Sequence, residues 1–290
     1  VIIVCANGYL ADDAVANHAL TDLVMEGPYE YKLAKDKVII VSGVGPGMGQ
    51  AMAKIAAKEG AKVGLGARNE EFLNSVHKEI VDSGGQAVAL STDVTNSDQC
   101  KALADKVMTE FGCIDGLINS AYDHGEWATT DLADPEGWQQ PYNVNCLGAL
   151  RMAQACLPSM KDNGGGAIVN VSTMATVNPF PGEASYAAAK GGLNVLTRHM
   201  AKDYGKFNIR VNAARMGWIG GKPVFGYIDS MVDAGKNRED VVGEITDRIP
   251  LGIIPPEDDC AKAVLFFVSD YSNVVSGGSL DVNGGQYMAP

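Results

Sequence analysis

The sequence predicts an α/β protein: a single Rossmann-type, doubly wound, parallel seven-stranded sheet with helices on both faces. Three observations carry that prediction. From Lys37 onward, seven short runs rich in β-branched residues alternate with helical segments, the rhythm of repeated βαβ units. The first run opens into a glycine-rich loop and then a helix, an arrangement that offers unpaired N–H groups to an anion. The 290 residues are 46% hydrophobic and 20% charged, enough for one sizeable core and a poor match to disorder or a fibrous repeat.

In chain order, strands are expected at residues 38–41, 62–65, 87–90, 116–118, 167–171, 209–212 and 279–282, with a first helix over residues 50–59. The segment 217–252 breaks the rhythm and carries Val224, Ile228, Met231 and Val232 at helical spacing. Ordinary core packing would explain that spacing. An insertion beyond a strand's carboxyl end also sits where such sheets bind ligands, so residues 217–250 are expected to form a substrate lid. Residues 33–290 are expected to be one domain and residues 1–32 an extension. Within the extension, Val15, Leu20, Leu23 and Val24 follow Asp12 and Asp13 at near-helical spacing, and Met25 lies beyond them. A docked amphipathic helix and an appended segment both fit.

The charge balance narrows the partners. Twenty-three basic against thirty-five acidic side chains give a net charge of −12, which repels nucleic acid and anionic membranes. Apolar stretches such as residues 1–6 fall far short of a spanning helix, so no membrane partner is expected. The six cysteines, Cys5, Cys100, Cys113, Cys146, Cys156 and Cys260, form no C-x-x-C pair, and no histidine stands at metal-ligand spacing. They are expected to be reduced thiols of a cytoplasmic protein, with no metal site.

The chemistry begins at Ser42-Gly43-Val44-Gly45-Pro46-Gly47-Met48-Gly49. Glycine at 43 permits a tight turn, at 47 close approach of a pyrophosphate, and at 49 tight packing of helix on strand, so a dinucleotide site is expected. Further on, Tyr186 and Lys190 stand one turn apart on a predicted helix and share a face. A second Tyr-x-x-x-Lys, at Tyr31 and Lys35, precedes the glycine loop and reads as a solvated linker.

The Gly-x-x-x-Gly-x-Gly spacing resembles that of the short-chain dehydrogenase/reductase family, and an ordered series of marks from about Leu33 to the C-terminus agrees. These are Asp93-Val94, Asn119-Ser120-Ala121-Tyr122, Asn145, Tyr186-x-x-x-Lys190, Met216-Gly217-Trp218-Ile219 and residues 280–285. The resemblance implies that Gly43, Gly45, Gly47, Met48 and Gly49 hold the cofactor's phosphates, that Asp93 and Val94 meet adenine, and that Asn119, Ala121, Gly217 and Ile219 line the rest. It further implies that Tyr186 is the general acid–base, that Lys190 holds the nicotinamide ribose, and that Asn145 orders a proton-relaying water. A free tyrosine titrates near 10, and moving it toward 7 takes about 4 kcal/mol; the nearby Lys190 ammonium is expected to contribute. The hydroxyl that anchors the substrate oxygen falls on Thr173 by the family's spacing, with Ser172 as the alternative. Tyr122, Met216 and Pro46 depart from the family's usual residues and mark a divergent subgroup.

Three loops, 122–138, 174–183 and 217–250, hold Trp127, Trp138 and Trp218 with Tyr122, Phe180, Phe225 and Tyr227. With aromatics only 7% of the chain, this concentration points to an apolar, cyclic or aromatic substrate; packing within the lid is the alternative for each ring. At the end of the second strand, where an acid would accept from a ribose hydroxyl, stands Ala67, followed by Arg68. A guanidinium there suits a 2′-phosphate, so NADP(H) is expected, with NAD(H) the alternative given the nearby Glu70 and Glu71. The expected activity is interconversion of a secondary alcohol and a ketone. A catalytically silent nucleotide sensor is the alternative, disfavoured by the presence of both Tyr186 and Lys190. Sugar-nucleotide epimerase or dehydratase chemistry, which would call for a larger C-terminal substrate domain, is not expected. The resemblance implies a homotetramer paired through the helices carrying Asn145 and Tyr186.

Overall fold

The computed structural model describes residues 32–288. The expected amphipathic helix in the extension, Met25 and Tyr31 of the second Tyr-x-x-x-Lys lie outside the described residues. From Leu33 onward the chain forms one compact unit. Seven strands, β1 (Val38–Ser42), β2 (Lys62–Ala67), β3 (Gln86–Ser91), β4 (Gly116–Asn119), β5 (Gly166–Thr173), β6 (Ile209–Met216) and β7 (Ser279–Val282), pair in the order β3-β2-β1-β4-β5-β6-β7. Every pairing is parallel. The order reverses between β1 and β4, so a crevice opens at their carboxyl ends, the place where such sheets bind ligands.

The connecting helices are α1 (Met48–Lys58), α2 (Glu70–Asp82), α3 (Ser97–Phe111), α4 (Gln139–Tyr142), α5 (Gly148–Asp162), α6 (Ala184–Tyr204), α7 (Lys222–Asp233), α8 (Arg238–Thr246) and α9 (Glu257–Val268). Strand alternation sorts them onto two faces. Ile39, Val41 and Ile118 face a layer built with Met52 of α1, Val76 of α2 and Leu265 of α9. Val38, Ile40 and Leu117 face a layer built with Leu103 of α3, Met152 of α5 and Met200 of α6. The caps follow local chemistry: the Asn69 side chain accepts from Phe72 N at the start of α2, and Asn96 accepts from Asp98 N and Gln99 N at the start of α3.

The strands run longer than the sequence predicts, to Ser42, Ala67, Ser91, Asn119, Thr173 and Met216. At β1 and β4 the added residue, Ser42 or Asn119, is polar yet buried in the sheet, so hydrophobicity marked these ends too early. Asn119 Nδ2 donates to Asn170 Oδ1 at 2.9 Å, and Asn170 Nδ2 donates to Thr197 Oγ1 at 2.9 Å. The first helix begins at Met48, two residues before the expected start, so Gly49 is helical. Between α4 and α5 the chain makes a π-helical stretch, Asn143–Leu147. The irregular segment after β6 holds α7 and α8, which share a small apolar cluster of Ile228, Val241, Ile245 and Ile249, separate from the two sheet layers.

Candidate active site

The glycine loop is shaped for close contact. Gly43 has φ +94, and a Cβ there would stand 2.2 Å from Ala121 N across the crevice; a Cβ on Gly49 would stand 2.1 Å from Gly43 O. Gly45 has open space around it and no steric need to be glycine. Gly47 caps α1 with φ 132 and no side-chain hydrogen bond, which leaves the helix's first N–H groups and its positive end for an anion. This loop, whose close packing requires glycine at 43 and 49, fits a dinucleotide pyrophosphate.

A cavity of about 990 Å³ runs from this loop to the lid. Gly43, Gly45, Gly47, Met48, Gly49, Ser172, Thr173, Tyr186, Lys190, Gly217 and Ile219 all line it, so the structure brings together the first, fifth and sixth strand ends as the sequence predicts. Arg68, Asp93, Val94, Asn119, Ala121 and Asn145 are not among its lining residues. Of the seven aromatic rings in the three loops, Tyr122, Trp127, Phe180, Trp218 and Tyr227 reach the cavity. Trp138 and Phe225 do not, and Phe225 instead stands over Gly220.

Lys190 is 2% exposed and donates from Nζ to Val171 O at 2.7 Å, with Nζ 5.9 Å from the Tyr186 ring centre. Burial pushes its pKa down to about 7, opposed by Cys146. The expected lowering of the Tyr186 pKa by Lys190 is not what the folded chain produces. Burial pushes the phenol up, a hydrogen bond from Thr173 pulls it down, and Glu183 and Tyr122 push it further up. The correction has a physical reason: desolvation of the buried phenolate outweighs the Thr173 hydrogen bond, and Lys190, itself pushed toward neutrality by burial, does not offset it.

Thr173 ends β5, and its Oγ1 also accepts from Ala175 N at 3.2 Å, which fixes the hydroxyl at the cavity wall. Ser172 also lines the cavity, and its Oγ is buried without a hydrogen-bond partner. Asn145 is buried in the π-helical stretch, donates from Nδ2 to Asp123 O at 2.6 Å and Pro141 O at 2.8 Å, and accepts from Asp123 N at 3.2 Å. Its amide therefore pins the loop after β4. Asn119 likewise donates to Ala149 O at 3.3 Å and ties β4 to α5.

At the far end, Asp93 accepts from Thr95 N and Thr95 Oγ1, and these bonds hold its carboxyl below the ordinary range, assisted by Arg68 and Arg151. Arg68 is exposed at the end of β2. The acids after it sit in the first turn of α2, where they complement the helix dipole. The sequence reading missed His124 and Glu183, both of which line the cavity; no periodicity or spacing marks either.

This fold and this wall define a nicotinamide-dependent oxidoreductase, and comparison with known proteins agrees. A family profile described as enoyl-(acyl carrier protein) reductase matches residues 43–286, and the chain belongs to the short-chain dehydrogenase/reductase family. It is 33% identical over 249 residues to the 3-oxoacyl-[acyl-carrier-protein] reductase FabG of Thermotoga maritima, covering 86% of this chain and 97% of that one. It is also 33% identical to the cis-4-hydroxycyclohexanecarboxylate dehydrogenase of Sinomonas cyclohexanicum, over 86% of this chain and 96% of that one. The crystal structure of levodione reductase superposes with a TM-score of 0.80 at 27% identity, covering 87% of this chain and 98% of that one. The chain is thus an NAD(P)-dependent oxidoreductase acting on CH–OH groups. Among the described residues no helix is long and apolar enough to cross a membrane.

Proposed function

We propose that residues 33–290 interconvert an apolar cyclic or aromatic secondary alcohol and its ketone with NADP(H), beneath a lid formed by residues 217–250. The observation that carries this reading is the Tyr186 hydroxyl, bonded by Thr173 one turn from buried Lys190, at the wall of a cavity that starts at the glycine loop. The nicotinamide, when bound, supplies or accepts the hydride. Tyr186 gives or takes the hydroxyl proton, and Thr173 holds the substrate oxygen against it. Lys190, with Nζ anchored on Val171 O, is placed to bind ribose hydroxyls. Asn145 acts by fixing the loop that carries Tyr122 and His124.

The wall facing these groups is apolar: Met174, Phe180, Val224, Tyr227 and Met231 line it, and Trp218 packs on Tyr227 with ring centres 5.5 Å apart. Such a surface selects carbon rings over sugars. The names of the cyclohexanecarboxylate dehydrogenase and levodione reductase support the same class. A panel of cyclic secondary alcohols and ketones, assayed with each cofactor, tests the reading; turnover confined to short acyclic alcohols would refute the substrate class.

Arg68, exposed beside Ala67, supports NADP(H). The expected result is a higher kcat/KM with NADP(H) in the wild type and a swing toward NAD(H) in Ala67→Asp/Arg68→Ala. A wild type that prefers NAD(H) would show that Arg68 does not read the phosphate. Five described cysteines are free thiols, four of them buried, which suits a cytoplasmic protein. Family likeness supports a homotetramer, with α5 and α6 as the pairing helices; light scattering at micromolar concentration should return four times the chain mass, and a monomer would refute it.

A further inference from the structure

Glu257, the first residue of α9, lines the same cavity and takes no part in the chemistry above. The chain before α7 and the chain before α9 are tied together where Gly220 N donates to Pro255 O at 2.9 Å, which sets the starts of the two helices side by side. One carboxylate oxygen then lies against two glycines. A Cβ on Gly221, the N-cap of α7, would overlap Glu257 Oε1, and a Cβ on Gly47, the N-cap of α1, would stand 3.3 Å from it. None of α1, α7 and α9 has a side-chain hydrogen bond at its N-cap. Three helix starts, each with unpaired N–H groups and a partial positive charge, therefore meet around one carboxylate. Gly47 is also where the glycine loop offers those features to a pyrophosphate.

We propose that Glu257 competes with the cofactor's pyrophosphate for the start of α1 and so sets how tightly the cofactor is held. The proposal rests on the dinucleotide site read from the glycine loop. The carboxylate already satisfies the positive helix ends, so an arriving pyrophosphate has to displace it, and part of the attraction that a helix start offers an anion is cancelled. Little else neutralises the group. The cation that acts on it is Lys54 of α1, which is paired with Glu79 at 2.6 Å, while burial and Asp258 push the Glu257 carboxyl above its ordinary range. A cofactor held against such a competitor leaves readily after hydride transfer, which suits an enzyme that exchanges it on every turnover.

Equilibrium titration at about pH 8 without any substrate, following the fluorescence of NADPH and of NADH, tests this. Glu257→Gln keeps the shape of the side chain and removes its charge, so the dissociation constant of whichever cofactor binds more tightly should fall by about tenfold. ADP-ribose carries the pyrophosphate without the nicotinamide, and its affinity, read by displacement of the reduced cofactor, should rise by a similar factor. Adenosine has no phosphate and should change by less than about twofold. Asp258→Asn removes the same charge one residue further on and should also change cofactor affinity by less than about twofold. A gain below about threefold in Glu257→Gln, an equal gain for adenosine, or an equal gain in Asp258→Asn overturns the proposal. Weaker cofactor binding in Glu257→Gln overturns it too. Lost packing cannot imitate the expected result, because a damaged site binds less tightly. Should Glu257→Gln not fold, Glu257→Ala is read in the same way. If the wild type bound neither reduced cofactor nor ADP-ribose, the dinucleotide site itself would be refuted, a failure distinct from a cofactor that binds wild type and variant alike.

Discussion

Replacing Tyr186 by phenylalanine is expected to lower turnover by at least about a hundredfold, the usual effect of removing a positioned general acid–base, while the cofactor still binds. The phenol hydroxyl meets the Thr173 hydroxyl at the cavity wall, and the substitution removes only that oxygen. Thr173→Ala should cost more activity than Ser172→Ala, because Thr173 is the hydroxyl bonded to the phenol whereas Ser172 Oγ has no partner. Steady-state kinetics and cofactor titration on the three variants check both statements. Retained turnover in Tyr186→Phe would remove the residue from the mechanism, and the reverse order of the two hydroxyls would move the substrate anchor to Ser172.

The second large effect is on stability. Burial lowers the Lys190 pKa from 10.5 to about 7, so the folded protein disfavours a proton that the unfolded chain binds. The penalty is fully present below about pH 7 and fades as pH rises toward the unfolded value. At pH 7, where the folded-state group is half protonated, that displacement corresponds to roughly 4 kcal/mol. Lys190→Met keeps the length of the side chain and removes the charge, but leaves Val171 O without the Nζ donor, a loss of about 1–3 kcal/mol. The cofactor-free variant should therefore be more stable than wild type at pH 7 by roughly 1–3 kcal/mol, with activity abolished. By pH 9.5 the order should narrow or reverse as the wild-type penalty shrinks. Urea unfolding at both pH values and one protein concentration measures it. A variant less stable than wild type at pH 7 would show that the buried ammonium carries no desolvation cost. The trade of stability for a charged group at a reactive site is common to enzymes.

How much of the site was legible follows from what kind of signal each residue leaves. Tyr186 and Lys190 are four apart on one helix, and Gly43, Gly47 and Gly49 mark a strand–turn–helix, so local spacing reveals them. Thr173 was placed by its distance in sequence from Tyr186. Asn145 is placed by the ordered series of motifs, but the partners of its amide, Asp123 and Pro141, leave no local signal, because they depend on how the loop after β4 returns over the π-helical stretch. His124 and Glu183 left no signal, since a ring stack between residues 62 positions apart obeys no local period.

The sequence by itself determined the class and order of the elements and the two local motifs, because alternation of hydrophobic runs with helical segments and the conformational needs of glycine are properties of neighbouring residues. Tertiary structure alone decided that β4 runs on to Asn119, whose buried amide donates to Asn170 across β5. It also decided which five aromatic rings face the cavity, and that the Tyr186 phenol is pushed up rather than down. Hydrogen-bond satisfaction, exposure and the dielectric around a charge are set by groups distant in sequence, and they exist only once the chain has brought those groups together.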